Sequence, residues 1–458
     1  MRKIALALAL SSTLAAPAAI AQGGPTQSGV ELYGIIDVGI ENVDNGPGAS
    51  ATRVTSGIST GSRWGIRGNE NLGGGYRALF TLESRFETDT GDIENFGPTF
   101  LCGASCPGVG LMPPATVLPG PVQAGVLGGL NAVNTALLDA VSRVNRPRAL
   151  FDRQAFVGLV TPYGAILLGR QYTPNYEVVV KYSAFADAFA GSPGQVATVN
   201  LRANNAIQYR AELGGFTASL MYGFGGAESI AGGRNERTTD PTRGDDFYGA
   251  NLQYTSPQFS IGVGYNRNNT VTYAAPNDVR KGLETYSIGA SAPVGPVKLF
   301  AQHLRAKNDN PVFRPEDIQG MVISTGGNVG AITNIILGQY FNSFDVDTLR
   351  GVAGPTDMKM YHVGLQWTSG NNQVMASFAH SKDTARSAWA TDDASVDLFG
   401  LGYFYSLSKR SQLYAAAAFA NNKDQARKSV AAACCVAGWT TAPGEDSRVL
   451  QAGIRHSF

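Results

Sequence analysis

One short pattern in the chain could carry covalent chemistry: Gly57-Ile-Ser-Thr-Gly61 matches G-x-S-x-G, the spacing of a nucleophilic serine on a tight turn. Acyl transfer needs that turn to join a strand to a helix, with a histidine beside the serine. Here the segment sits in a long connection just ahead of a strand, and His303, His362, His380 and His456 are scattered over late strands, so the match reads as chance. Of the four cysteines, Cys102 and Cys106 share one irregular region, and Cys434 and Cys435 are adjacent in another. No histidine stands at ligand spacing from either pair, which argues against a metal site. In an oxidising compartment they form disulfides, with three connectivities open. Neither a phosphate-cradling glycine loop nor H-E-x-x-H occurs, so no catalytic residue, metal or cofactor is expected.

What remains is charge on strand faces. Arg63 and Arg67 share one parity, opposite Trp64 and Ile66. Glu83 and Arg85 likewise share a face with Arg77, Thr81 and Glu87, opposite Ala78, Phe80, Leu82 and Phe86. Alternate residues of a strand project from opposite faces, so these four charges belong to wetted surfaces backed by apolar ones.

Composition limits what such surfaces can meet. With 36 Lys+Arg against 35 Asp+Glu and charged residues at 16%, a basic nucleic-acid binder and an acidic disordered chain are both excluded. Arg2 and Lys3, the apolar run Ile4 to Leu10 and Ala19-Ile-Ala21 have the three parts of a secretory signal peptide, predicting cleavage before Gln22 and export. Residues 22–458 are then the mature domain, carrying 34 basic residues once Arg2 and Lys3 are lost, against 35 acidic. No segment reaches the length of a helical membrane span.

The alternation seen around Arg63 and Glu83 recurs along the whole chain. Val30, Leu32, Gly34, Ile36, Val38 and Ile40 oppose Glu31, Tyr33, Ile35, Asp37, Gly39 and Glu41. Strand pairs flank tight turns near residues 70–75, 161–165, 212–215, 255–258, 291–296, 368–373 and 406–411. With a first strand at Val30 and a last one from Arg448 to Phe458, about sixteen strands of about ten residues are expected. Longer connections alternate with the short turns, at 42–61, 88–150, 172–204, 225–246, 268–282, 307–356, 383–395 and 424–446. That alternation predicts a transmembrane, antiparallel, up-and-down β-barrel with short periplasmic turns and long extracellular loops. In lipid a sheet can leave no edge, so first and last strands must pair. At this strand number the lumen is too wide for side chains to fill, and it holds water.

Several segments resemble the general diffusion porins of Gram-negative outer membranes, the sixteen-stranded and usually trimeric class. They are Val30-Glu-Leu-Tyr-Gly34, Ser62-Arg-Trp-Gly-Ile-Arg-Gly68, Glu70-Asn-Leu-Gly-Gly-Gly75 and Leu79-Phe-Thr-Leu-Glu83, then Asp152-Arg-Gln-Ala-Phe-Val-Gly-Leu159, Leu168-Gly-Arg-Gln171 and the terminal Phe458. The resemblance implies a non-enzymatic outer-membrane channel for small hydrophilic solutes and ions, surrounded by outer-membrane lipid and assembled as a homotrimer. It also implies a third long loop, residues 172–204, folded into the pore as a constriction. Carboxylates on that loop, Glu177 and Asp187, would face wall arginines at Arg63, Arg153 and Arg202, with Arg67, Glu83 and Arg85 lining the lumen beside them. Parity alone puts Arg153 on the face of Ala155, Val157 and Leu159, so its place in the lumen rests on the resemblance. The arginines lean the channel towards anions. Aromatic residues such as Tyr33, Trp64, Tyr254, Tyr265, Trp367 and Tyr403 fit either an interfacial girdle or a sugar-binding slide, the latter marking a substrate-specific porin. A barrel hydrolase and an adhesin using the long loops are the other readings. The connections at 88–150 and 307–356 are long for the family.

Overall fold

The computed structural model describes residues 28–91, 150–185, 190–197, 199–224, 227–229, 246–271, 279–309, 356–386, 392–426, 428–430 and 440–458. The expected signal peptide, all four cysteines, Asp187 and most of the two longest connections lie outside these residues.

Among the described residues, eighteen strands form one antiparallel sheet. In the first half of the chain they are β1 (Gly29–Asp44), β2 (Ser50–Ser56), β3 (Arg63–Gly73), β4 (Tyr76–Arg85), β5 (Gln154–Thr161), β6 (Gly164–Tyr172), β7 (Asn200–Leu213), β8 (Phe216–Gly223) and β9 (Ala227–Ser229). In the second half they are β10 (Phe247–Thr255), β11 (Ser260–Val271), β12 (Val279–Val294), β13 (Val297–Asn308), β14 (Thr356–Ser369), β15 (Asn372–Asp383), β16 (Ala394–Ser406), β17 (Ser411–Asp424) and β18 (Ser447–Ser457). Pairing runs neighbour to neighbour and closes on itself, because β1 pairs with β18 from Ile35↔Ser457 to Asp44↔Arg448. Gly34 and Phe458 exchange backbone hydrogen bonds of 3.1 and 3.2 Å at the foot of this seam.

Two strands are halves of a broken one. β2 pairs with the upper part of β1 (Val38↔Ser56) and β3 with its lower part (Ile35↔Arg63), on the same side. β9 and β8 divide β7 in the same way. The wall therefore has sixteen positions around its circumference, as the alternation predicts. The expected connection at 42–61 needs correction: only residues 45–49 bridge β1 and β2. Residues 57–62 leave the sheet in mid-wall and turn into the lumen.

Outward positions carry the apolar residues, with Leu32, Val157, Leu220, Val263, Val363, Leu401 and Leu450 among those exposed. The inner face is not uniformly polar. On the extracellular half of β13–β18 it presents Leu304, Ala306, Met358, Met360, Ala379, Val396, Leu398, Ala418, Ala420 and Val449, all buried. These meet protein rather than water, because the segment between β6 and β7 packs over them through Val179, Val180, Ala190, Val196, Ala197 and Val199. That segment contains a helix the alternation does not announce, α1 (Pro174–Lys181), opened by a proline at its start where no N–H is needed. Among the described residues no helix is long and apolar enough to cross a membrane.

Candidate pore constriction

The inward segment between β6 and β7 is fastened along the wall by side chains at its turns. The Thr173 hydroxyl bonds the Asn200 carbonyl and accepts from Asn266 Nδ2 at 2.8 Å, closing the segment's two ends. Asn175 donates through its backbone to Asn266 Oδ1 at 3.1 Å and through Nδ2 to Thr285 at 2.8 Å. The Tyr182 hydroxyl meets Ser260 at 2.9 Å. Its ring lies where Gly289 has no side chain: a Cβ there would come within 2.5 Å. Further round, Gln366 donates to the Ala184 carbonyl and Ser377 to that of Gly191, both at 2.6 Å. Gly191 rests on Gly400 of β16, another position where a side chain would collide with backbone. The segment thus hugs the inner wall from β7 round to β16.

Glu177 is part of this fastening. It accepts from Arg210 of β7 at 3.1 and 3.3 Å and from Asn251 of β10 at 3.1 Å. The expectation that Glu177 faces the wall arginines across an opening is therefore corrected, since the side chain is spent on the wall beneath its own helix. Removal from water makes the pair a fixed anchor whose members depend on each other.

The arginines gather on the remaining arc, β3 to β7. Glu83 is their centre. Arg153 Nε donates to it at 2.8 Å, Arg63 Nη1 stands 4.0 Å away, and the Tyr33 hydroxyl donates to its other oxygen at 3.0 Å. Arg153 Nη2 also donates to the Tyr172 hydroxyl at 2.7 Å, and the Arg202 guanidinium lies 5.0 Å over the Tyr172 ring. Arg85 is ion-paired with Glu87 at 2.7 Å and lies alongside Arg153 at the open flank of Gly61. The structure thus brings Arg63, Glu83, Arg85, Arg153 and Arg202 together. Arg67 is apart: it pairs with Glu31 at 2.8 Å and is exposed towards the periplasmic end, over the Tyr33 ring.

The failed parity of Arg153 has a local cause. β5 begins only at Gln154, and the bend through Asp152 and Arg153 breaks the alternation, so Arg153 turns inward while Val157 and Leu159 stay on the lipid side. Arg170, which sequence reasoning missed, is turned inward by a register break between Gly169 and Gln171, where Gly169 has φ +127°. Its guanidinium bonds the Asp152 carbonyl and the Asn204 side chain.

Asp37 was also missed, although its parity with Glu31, Tyr33 and Glu41 marked it as inward. Its carboxylate accepts from the backbone N–H groups of Ser59 and Thr60 at 3.3 and 3.1 Å and from the Tyr414 hydroxyl at 2.7 Å. It thereby holds residues 57–62 inside the barrel. Thr60 accepts from Arg63 at 2.6 Å, and Ile58 packs with Phe185, Phe300, Phe404 and Tyr414. The G-x-S-x-G match thus lies in the lumen rather than in an extracellular loop. It forms no strand-to-helix elbow, and the Ser59 hydroxyl accepts from Arg455 at 3.5 Å. The histidines stay dispersed: His303 stacks on Tyr361, His380 pairs with Asp397, and His456 bonds Ser411. Among the described residues no three His, Cys, Asp or Glu side chains gather as metal ligands. Tyr254, Tyr265, Trp367 and Tyr403 lie on the outward parity, whereas Tyr33 serves the arginine group.

A closed sixteen-position barrel with an apolar exterior and inward-folded segments defines a membrane channel of the outer-membrane type. The chain belongs to the Gram-negative porin family, whose model matches residues 5–425. It is 27% identical over 466 residues to outer membrane porin protein 32 of Delftia acidovorans, spanning 98% of this chain and all of that one. An outer membrane porin of Bordetella pertussis is 27% identical over 448 residues, 92% of this chain and 95% of its own length. Among solved structures, an anion-selective porin from Comamonas acidovorans superposes with a TM-score of 0.58 at 22% identity, over 94% of this chain and 100% of that one. OmpT of Vibrio cholerae in a trimer form gives 0.53 at 12%, over 94% and 99%. The protein is an outer-membrane channel.

Proposed function

We propose that the channel passes small hydrophilic solutes and ions passively, with a preference for anions set at the level of Glu83 and Tyr172. The observation that carries this reading is the convergence of Arg63, Arg85, Arg153 and Arg202 on one arc of the lumen, facing the inward segment that occupies the opposite arc. Guanidiniums stay charged at any relevant pH, and the intervening Glu83 lets them stand close together. An anion passing them exchanges hydration for fixed donors, whereas a cation meets an unfavourable field. Residues 173–199 act as the constriction, and residues 57–62 narrow the lumen from the other side. The mature protein begins at Gln22, works as a homotrimer and is embedded in outer-membrane lipid.

Reversal potentials across a salt gradient test the reading. Arg63→Gln with Arg153→Gln is expected to move them towards cations; an unchanged value removes both residues from the ion path. Large ohmic conductance supports general diffusion, while block by one class of solute supports a substrate-specific pore.

A further inference from the structure

Across the closing seam, Asp37 of β1 and Arg455 of β18 stand directly opposite one another, both on the inward face. Opposite charges so placed in a sheet ordinarily stabilise it by pairing. Here each is engaged elsewhere. Both Asp37 oxygens are taken, by the Ser59 and Thr60 N–H groups and the Tyr414 hydroxyl, and the residue is wholly buried behind residues 57–62. The Arg455 guanidinium is held by neutral groups instead. Its Nη2 donates to Gln412 Oε1 and its Nη1 to the Ser59 hydroxyl at 3.5 Å, and it lies 5.7 Å from the centre of the Phe404 ring. Among the described residues no carboxylate stands within ion-pair distance of it.

Other inward arginines are offset by a carboxylate at close range: Arg53 by Glu41 at 2.9 Å, Arg85 by Glu87 at 2.7 Å, Arg153 by Glu83 at 2.8 Å and Arg210 by Glu177 at 3.1 Å. An ion pair presents little net charge to a passing solute, whereas a guanidinium seated on an amide, a hydroxyl and a ring keeps its own. Register also sets Arg455 beside the arginine arc. β1 lies between β18 and β3, and Arg455 faces Asp37 while Arg63 faces Ile35, two residues nearer the periplasm. The two guanidiniums are near enough to repel one another. They hold residues 57–62 from opposite sides, Arg63 through the Gly61 carbonyl and the Thr60 hydroxyl, Arg455 through Ser59.

We propose that Arg455 is a further selectivity-determining residue, through which the cationic arc of β3–β7 continues across the seam to β18 on the far side of residues 57–62. Its charge, left whole by neutral partners, attracts an anion from a part of the wall that Glu83 does not reach. The inference rests on the reading of the lumen as the ion path. The change on substitution tests Arg455, and the wild-type preference tests the anion reading, so the two can fail separately.

Reversal potentials of the full chain in planar bilayers across a potassium chloride gradient are the experiment. In dilute salt Arg455→Gln is expected to lower the chloride-to-potassium permeability ratio about fivefold, the effect of one unit charge about 8 Å from an ion path in water. The fall should shrink in concentrated salt, where screening shortens the reach of the charge. Gln412→Glu sets a carboxylate on the guanidinium in a nearly isosteric side chain and should lower the ratio by the same factor; it carries the test if Arg455→Gln does not form the barrel, which heat-modified gel migration checks. Arg455→Lys keeps the charge and should keep the ratio. Ser59→Ala removes the contact with residues 57–62 at constant charge and should keep the ratio whatever it does to conductance. Lys409→Gln, in the periplasmic turn between β16 and β17, removes a charge outside the lumen and should also leave the ratio unchanged. A wild-type ratio in both Arg455→Gln and Gln412→Glu would overturn the proposal. So would an equal fall in Ser59→Ala, which would show that Arg455 acts only by seating the segment. A wild-type channel without anion preference that still shifts with Arg455→Gln would overturn the anion reading and support this one.

Discussion

Asp37→Asn isolates the latch on residues 57–62. The carboxylate now accepts three hydrogen bonds, two from backbone N–H groups at 3.1 and 3.3 Å and one from the Tyr414 hydroxyl at 2.7 Å. The Ser59 N–H and the Tyr414 hydroxyl share Oδ1 while the Thr60 N–H uses Oδ2, so an asparagine with its oxygen in the Oδ1 place keeps two of the three bonds, now to a neutral acceptor, and turns an NH2 group towards the Thr60 N–H. Bonds to a buried charged acceptor contribute about 1.5–3 kcal/mol each against about 0.5–1.5 kcal/mol for neutral ones, so losing the Thr60 bond and the charge behind the other two gives a loss of about 3 kcal/mol. That raises the population in which the segment leaves its seat by roughly two orders of magnitude. Burial of Ile58, worth about 1.5–3 kcal/mol, still opposes release, so the segment is expected to flicker rather than stay out. Single-channel recording should show raised open-channel noise with excursions to higher conductance. Losing one negative charge from the lumen should also move the reversal potential towards anions. Ile58→Ala is expected to reproduce the noise without that shift, since it loosens the same segment at constant charge. Wild-type noise and conductance in both variants, with the barrel intact, would show that the segment does not bound the passage.

The remaining predictions concern the inward segment and the lumen charge. Gly289→Ala puts a methyl group within 2.5 Å of the Tyr182 ring, which is buried and tethered to Ser260; overpacking of about 1–3 kcal/mol is expected, read as a lower temperature of heat modification. Gly295→Ala in the periplasmic turn, where no atom lies near, controls for the change of residue type, its positive φ costing only locally. Lys181 faces the lumen, yet desolvation by the surrounding protein and the nearby Lys298 and Arg210 cations lower its ammonium pKa to about 8. Its charge is present below that pH and lost above it, so anion preference should fall as pH rises through about 8, and Lys181→Gln should abolish that step.

How much of this was legible depends on what breaks the alternation. From Tyr76 to Arg85 nothing does, and the apolar and charged faces fall where the period-two pattern puts them. The same regularity in the late hairpins fixes the strand number and the closure. Arg153 and Arg170 defeat parity because a bend and a glycine with positive φ each turn a side chain through the sheet, and neither leaves a clear mark in the order of residue types. The mid-wall break at residues 57–62 is hidden for a different reason: its inward course is held by Asp37 and Tyr414, and Tyr414 is 377 positions away from Asp37. Glu177 was expected at an opening because loop carboxylates are free to face one; its partner Arg210 lies on a wall strand that the charge pattern alone does not connect to it. The apolar inner face of β13–β18 follows the same logic, since only the presence of the covering segment makes those positions dry.

The seam has a consequence for how the molecule is made. Asp44 and Arg448, 404 positions apart, are joined across it by an ion pair of 2.7 Å. Until β18 has been delivered, the nascent sheet carries two open margins of unsatisfied amide groups, each a template for adhesion to another chain. Contacts so distant along the polypeptide form late and slowly. The protein therefore spends its vulnerable interval after export and before closure, when an escort in the periplasm has most to shield.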